Sequence, residues 1–125
     1  EEAQGLILAN TTVSRDAVPQ RWATEPGGVS GAPLRERSTE LIAEAYRLSG
    51  GKLPIIGVGG IFTAEDAWRK ICAGASLVQV YTGLIYRGPR LARELNEGLL
   101  QLMKQDGVAR IQDAVGRSHG AVVGK

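Results

Sequence analysis

Cysteine is nearly missing from this sequence. Its one copy, Cys72, has no partner for an intramolecular disulfide and no His or Cys at metal-ligand spacing. Neither a disulfide framework nor a zinc site is therefore expected, and a reducing compartment is the simplest reading. Histidine is as scarce, with His119 alone near a polar end, where solvated surface is its expected setting. Long apolar runs are absent too: none approaches the ~20 residues that span a bilayer, and Glu1-Glu2-Ala3 lacks the positive start of a secretory signal. An excess of one charge is also lacking. The 15 basic residues face 13 acidic ones, dispersed along the chain, so nucleic-acid binding is not indicated.

What is present is an alternation. With 125 residues and 43% hydrophobic content, the chain is expected to form one soluble globular unit, residues 1–125, around a single core. Gly5-Leu6-Ile7-Leu8-Ala9 reads as a buried strand, and so close to the first residue it suggests a chain cut from something longer. Leu53 to Val58 and Ser76 to Val80 read as two further strands. Between the first two, Leu34, Leu41, Ile42, Ala45 and Leu48 recur at helical spacing and Gly50-Gly51 supplies a stop. Thr63-Ala64-Glu65-Asp66 resembles a capping box with Asp in place of Glu, opening a helix that buries Ala67, Ile71 and Trp68 before Gly74. A short helix over Thr82 to Tyr86 is expected next. Pro89 then sits where a first helical turn tolerates it, and Leu91, Leu95, Leu99, Leu102 and Met103 mark an apolar stripe ending at Gly107. From Val108 onward the composition is that of a polar tail. Cys72 and Trp68 are read as core, and Trp22 as packing.

Three strand–helix alternations predict an α/β fold of parallel βαβ units. A complete (β/α)₈ barrel takes about 250 residues, so three units make less than half of one. Such a partial barrel leaves two sheet edges exposed. Missing strands, a second copy of the chain or a compact rearrangement are all ways to cover them.

Ligand groups in parallel α/β folds collect where strands end. Asn10-Thr11-Thr12 follows the first strand and offers an amide donor, an amide acceptor and two hydroxyls, an inventory suited to a planar ring with alternating carbonyl and N–H groups. The same cluster also suits a plain turn cap. Gly57-Val58-Gly59-Gly60 follows the second strand and Tyr81-Thr82-Gly83 the third. Glycines let the backbone approach an oxyanion, and a helix N-terminus offers free N–H groups to a phosphate; turning the chain is the competing reading. The connection from Val13 to Pro33 exceeds the usual 2–6 residues, a length typical of lids and binding loops.

Four blocks, taken in order, resemble one family. Asn10-Thr11-Thr12, Gly27-Gly28-Val29-Ser30-Gly31-Ala32-Pro33-Leu34, Pro54 to Gly60 and Ala73 to Thr82 are similar to the class 2, quinone-linked dihydroorotate dehydrogenases, with agreement from about Gly5 to His119. The resemblance implies strands six to eight of a (β/α)₈ barrel that holds FMN and oxidises dihydroorotate to orotate in pyrimidine synthesis. It implies a quinone acceptor reached through an upstream N-terminal region, and a peripheral position on the cytoplasmic side of a membrane. Asn10 and Thr11 would bind the pyrimidine. Ala9, Ser30, Gly31, Gly59, Gly60, Tyr81 and Thr82 would be the cofactor positions, with Gly60, Tyr81 and Thr82 at the phosphate end through their backbones, leaving the Tyr81 side chain expendable.

Two departures accompany the match. Ala9 stands where the family usually has a threonine against the flavin, a loss of roughly 1 kcal/mol. The serine base, the flavin-contacting lysine and further substrate asparagines would lie upstream, since neither Ser30 nor Ser38 fits the base motif. Two other readings remain. One is a non-catalytic phosphate- or FMN-binding piece that self-associates through its sheet edges. The other is a different FMN-dependent barrel such as a dihydrouridine synthase, which lacks the Asn10-Thr11-Thr12 and Ser30-Gly31 context.

Overall fold

A computed structural model describes residues 3–120. Three strands, β1 (Leu6–Leu8), β2 (Ile55–Val58) and β3 (Leu77–Gln79), form one parallel sheet in the order β1-β2-β3. The register runs Leu6↔Ile55, Ile7↔Ile56 and Leu8↔Gly57 on one side of β2, and Ile56↔Leu77, Gly57↔Val78 and Val58↔Gln79 on the other. The crossovers are made by α1 (Arg35–Ser49) and α2 (Ala64–Ala73), and β3 is followed by α3 (Thr82–Arg87) and α4 (Leu91–Gln105). This is the expected partial (β/α)₈ architecture.

Local signals set the helix limits where they were expected. Gly50 takes the left-handed conformation (φ 60°) that ends α1. Ahead of α2, the Thr63 hydroxyl accepts from the Asp66 N–H (3.3 Å) while the Asp66 carboxylate accepts from the Thr63 N–H (3.1 Å), a complete capping box. Pro89 differs from expectation. It precedes α4, whose N-cap is Arg90, because Gly88 turns the chain sharply after α3 and its carbonyl takes the Leu91 N–H.

Helices cover one sheet face only. Ile55 and Ile42 are fully buried with Ala73 and Ala75 between β2, α1 and α2, while Ile61, Ala67, Leu91 and Leu95 pack α2 onto α4. Each buried Ile or Leu side chain among them contributes about 1.5–3 kcal/mol. On the opposite face Ile7, Ile56 and Leu77 share one register row, and there Ile7 and Leu77 are 64% and 63% exposed. The expectation that β1 is buried is thus corrected, as no second layer lies over this face among the described residues. Leu48 likewise points outward, at the end of α1.

The segment from Val108 is not a tail. It folds as two 3₁₀ turns, Ile111–Ala114 and Arg117–His119, with Ala114 wholly buried against Trp68, Ile71 and Cys72. Gly116 N–H donates to the Ile71 carbonyl (3.1 Å). His119 stacks on Tyr46 with ring centroids 5.1 Å apart and places Nε2 2.9 Å from the Ala73 carbonyl oxygen, so it is part-buried rather than solvated. Residues 121–125 of the expected tail lie outside the described residues. Trp22, expected to serve only as packing, is 52% exposed and packs beneath the Arg21 guanidinium.

Candidate functional site at the strand ends

Because the three strands run parallel, their carboxyl ends open on one side. Ala9 continues the β1 ladder by donating its N–H to the Val58 carbonyl (3.1 Å). Asn10 and Thr11 then leave the sheet, and the Asn10 side-chain oxygen accepts from the Thr11 N–H (2.8 Å). That bond engages the amide oxygen and leaves the NH₂ without a partner among the described residues.

The long connection after β1 doubles back on itself. Thr12 and Val29 exchange two backbone hydrogen bonds of 3.0 and 2.8 Å, and the Arg15 guanidinium closes the loop by donating to the carbonyls of Glu25 and Gly27. This return brings Ser30 and Gly31 beside the third strand end, where the Thr82 hydroxyl lies 3.0 Å from that of Ser30.

After β2 the chain turns at Gly59 and Gly60. Gly60 has φ 69°, and a Cβ there would sit 2.5 Å from the Arg35 Cα, so only glycine lets this turn lie against the start of α1. Both carbonyls of the turn are held from beneath. Gly59 O accepts from the Ser38 hydroxyl (3.1 Å) and Gly60 O from Arg35 Nε (3.1 Å), while Arg35 Nε also lies 2.8 Å from the Asp66 carboxylate. The N–H groups of Gly60, Thr82 and Gly83 meet no acceptor among the described residues.

All nine expected site residues, Ala9, Asn10, Thr11, Ser30, Gly31, Gly59, Gly60, Tyr81 and Thr82, line one open cavity of about 460 Å³. Tyr81 is 69% exposed, in keeping with a contact made by backbone rather than ring. Leu34, Val58, Ile61, Gln79, Val80 and Gly83 complete the lining and were not singled out as site residues. Leu34 and Ile61 signalled only core, whereas Gly83 stood in the Tyr81-Thr82-Gly83 block and lies so close to the Ile61 carbonyl that a side chain has no room. A larger open groove of about 890 Å³ between α1 and α2, flanked by Trp68 and Arg69, is remote from the strand ends.

Beneath the turn lies a polar core that the sequence did not disclose. Lys70 is fully buried, and its Nζ donates to Ser38 Oγ (2.6 Å), Thr39 Oγ1 (2.9 Å) and the Arg35 carbonyl (3.2 Å). Loss of hydration lowers its pKa to about 8, against the opposing pull of the Asp66 charge. Burial likewise pushes the Cys72 thiol up. The available signal was positional: Lys70 lies three residues after Ala67 and beside Ile71, on the apolar side of α2.

Parallel β/α units with polar groups and glycine turns gathered at the strand ends define a segment of a (β/α)₈-barrel protein. The family model for dihydroorotate dehydrogenase matches residues 1–103, and the chain belongs to that family. Among curated proteins it is similar to the dihydroorotate dehydrogenase (quinone) of Deinococcus radiodurans, 56% identical over 92% of this chain and 31% of that protein. The counterparts from Deinococcus deserti and Acaryochloris marina are 54% and 52% identical, each over 90% of this chain. Among solved structures, DHODH of Eimeria tenella in complex with ferulenol superposes with a TM-score of 0.89 at 43% identity, covering 94% of this chain and 31% of that one. The chain thus spans about a third of the length of the relatives it matches.

Proposed function

We propose that this chain supplies the FMN phosphate cradle and the pyrimidine-recognition turn of an enzyme that oxidises dihydroorotate to orotate and passes the electrons to a quinone. The observation that carries this reading is convergence: three strand ends and one returning loop bring all nine family-implied residues to a single cavity. The names of the relatives support the substrate class and acceptor.

The residues present fit a phosphate-bearing flavin. Gly60, Thr82 and Gly83 offer N–H donors with no protein acceptor among the described residues, at the start of α3 and in a turn where side chains are excluded. Gly31, Ser30 and Ala9 flank the route from that cradle toward Asn10, and would hold the flavin's remaining length. FMN bound there supplies the two-electron chemistry. Asn10 and Thr11 would orient the pyrimidine through amide and hydroxyl groups at the cavity mouth, and the proton-abstracting serine would come from upstream. Neither serine of this neighbourhood suits that task, since Ser38 is buried beneath the turn and Ser30 is engaged with Thr82.

No helix among the described residues is long and apolar enough to cross a membrane. The proposed meeting with the quinone is peripheral, at the cytoplasmic side, through parts of the polypeptide outside this chain. The test is co-expression of this chain with the remaining part of the Deinococcus radiodurans relative, followed by an assay of quinone reduction driven by dihydroorotate. Flavin-dependent turnover that is lost in Asn10→Ala is expected. An assembly that retains flavin yet oxidises no dihydroorotate would overturn the pyrimidine assignment, and one that retains no flavin would overturn the cradle.

A further inference from the structure

The glycine turn that ends β2 does not stand on its own. Of the groups touching it, Ser38 is wholly buried, and its oxygen receives a hydrogen bond of 2.6 Å from the Lys70 ammonium. A hydroxyl that accepts from an ammonium has its own hydrogen free to donate, and two carbonyls lie within its reach, Gly59 at 3.1 Å and Arg35 at 3.3 Å. The Arg35 oxygen already accepts from Thr39 and Lys70, which leaves Gly59 as the nearer and less occupied acceptor. The C=O and N–H of a trans peptide point in opposite directions. Drawing the Gly59 carbonyl toward Ser38 therefore turns the Gly60 N–H to the other side, where Gly60 lines the cavity. Lys70 has no exposure and spends all three of its N–H bonds on Ser38, Thr39 and the Arg35 carbonyl, so its charge is set one side chain behind the cradle, away from water.

We propose that Lys70 is a positioning residue for the phosphate group, acting through Ser38 to aim the Gly60 N–H and as a buried positive charge behind the cradle. This rests on the reading of the site as one for a phosphate-bearing flavin. A cation in a region of low dielectric acts on an anion over several ångströms, where a solvated one is screened. The charged groups around it are Arg35 and Glu36 of α1 and Asp66 and Arg69 of α2; the Arg69 hydrogen bond holds the Glu36 carboxyl below its ordinary range, and Glu36 holds the Arg69 guanidinium above its own. The Cys72 thiol, pushed up by burial, belongs to the cluster with Trp68 and Ala114 on another face of α2. Lys70 is left as the group whose charge changes as pH rises through about 8.

The test compares FMN with riboflavin, which lacks the phosphate, by quenching of flavin fluorescence on this chain and its Lys70→Met, Lys70→Arg and Ser38→Ala variants. Wild type is expected to favour FMN. Lys70→Met should weaken FMN by about tenfold or more while leaving riboflavin unchanged, and Ser38→Ala should erode the same preference by a smaller factor. Raising the pH through about 8 should diminish the wild-type preference but not that of Lys70→Arg. A merely structural lysine would shift both flavins together. Should Lys70→Met fail to fold by circular dichroism, the Ser38→Ala ratio and the wild-type pH profile carry the test. A preference for FMN that persists unchanged in the folded variants and across that pH range overturns the role of Lys70 alone. Equal or absent binding of the two flavins by wild type overturns the phosphate reading and this inference with it.

Discussion

A lysine with three hydrogen bonds and no exposure has consequences for stability that differ in sign from its consequences for binding. Lys70 has a folded pKa of about 8 against an ordinary 10.5. Below pH 8 both folded and unfolded chains hold the proton. Between about 8 and 10.5 the unfolded chain holds one that the folded chain has released, so unfolding free energy rises with pH and then levels off. Wild type is thus expected to gain melting temperature relative to Lys70→Met across that window, measured as the difference between their thermal unfolding curves, while its preference for FMN falls. A second residue, Ala9, lines the cavity without a hydroxyl. Ala9→Thr restores the donor that the family resemblance places against the flavin, and a gain of about 1 kcal/mol, near fivefold in FMN affinity, is expected by fluorescence titration.

At the scale of elements, α2 joins scaffold to site, since the same Asp66 carboxylate closes the capping box, accepts from the Phe62 N–H (3.0 Å) and pairs with Arg35 under Gly60. Thr63→Ala removes one half of the box and is expected to cost about 1 kcal/mol. The corresponding fall in melting temperature is roughly 3–5 °C, with the FMN-to-riboflavin ratio intact because Arg35 and Asp66 remain paired. The segment after α4 contributes differently. Gly116 adopts φ 76° and lies against the Tyr46 ring so closely that a Cβ has no space. Gly116→Ala should lift this segment from α1 and α2 and lower the urea midpoint by the equivalent of at least about 1 kcal/mol. These two elements mark what was legible in the sequence. The Thr63-to-Asp66 box and the Gly50 stop are written within four residues of where they act. The docking of Ala114 and His119 depends on surfaces made by α1 and α2, which no local pattern announces. The site divides the same way: Asn10, Gly60 and Thr82 stand at strand ends, where position raises them beside plain turn readings and the family resemblance singles them out. Lys70 and Ser38 are polar residues in helices, and they acquire a meaning only when the helices pack.

For the whole molecule, the governing fact is a sheet that has, among the described residues, two unpaired edges and one uncovered face. Among the described residues β1 and β3 each pair only with β2, and the row Ile7, Ile56 and Leu77 runs across all three strands on the side away from the helices. Burying an exposed Ile or Leu contributes about 1.5–3 kcal/mol, whereas micromolar association requires about 8 kcal/mol. Association also costs several kcal/mol of lost translational and rotational freedom, so the side chains of one row need backbone pairing along an edge beside them. Self-association through these edges is accordingly expected to be concentration-dependent and visible as a rise in mass by light scattering. Ile7→Lys with Leu77→Lys places charges on both outer strands, disfavours either arrangement and should hold the chain as a monomer. Co-expression with the remaining part of the Deinococcus radiodurans relative offers the same edges a different occupant. If the edges are what drives association, that partner displaces the second copy and yields a one-to-one complex. A chain that stays monomeric at every concentration, or an oligomer untouched by the two lysines, would show that the open face is covered in some other way.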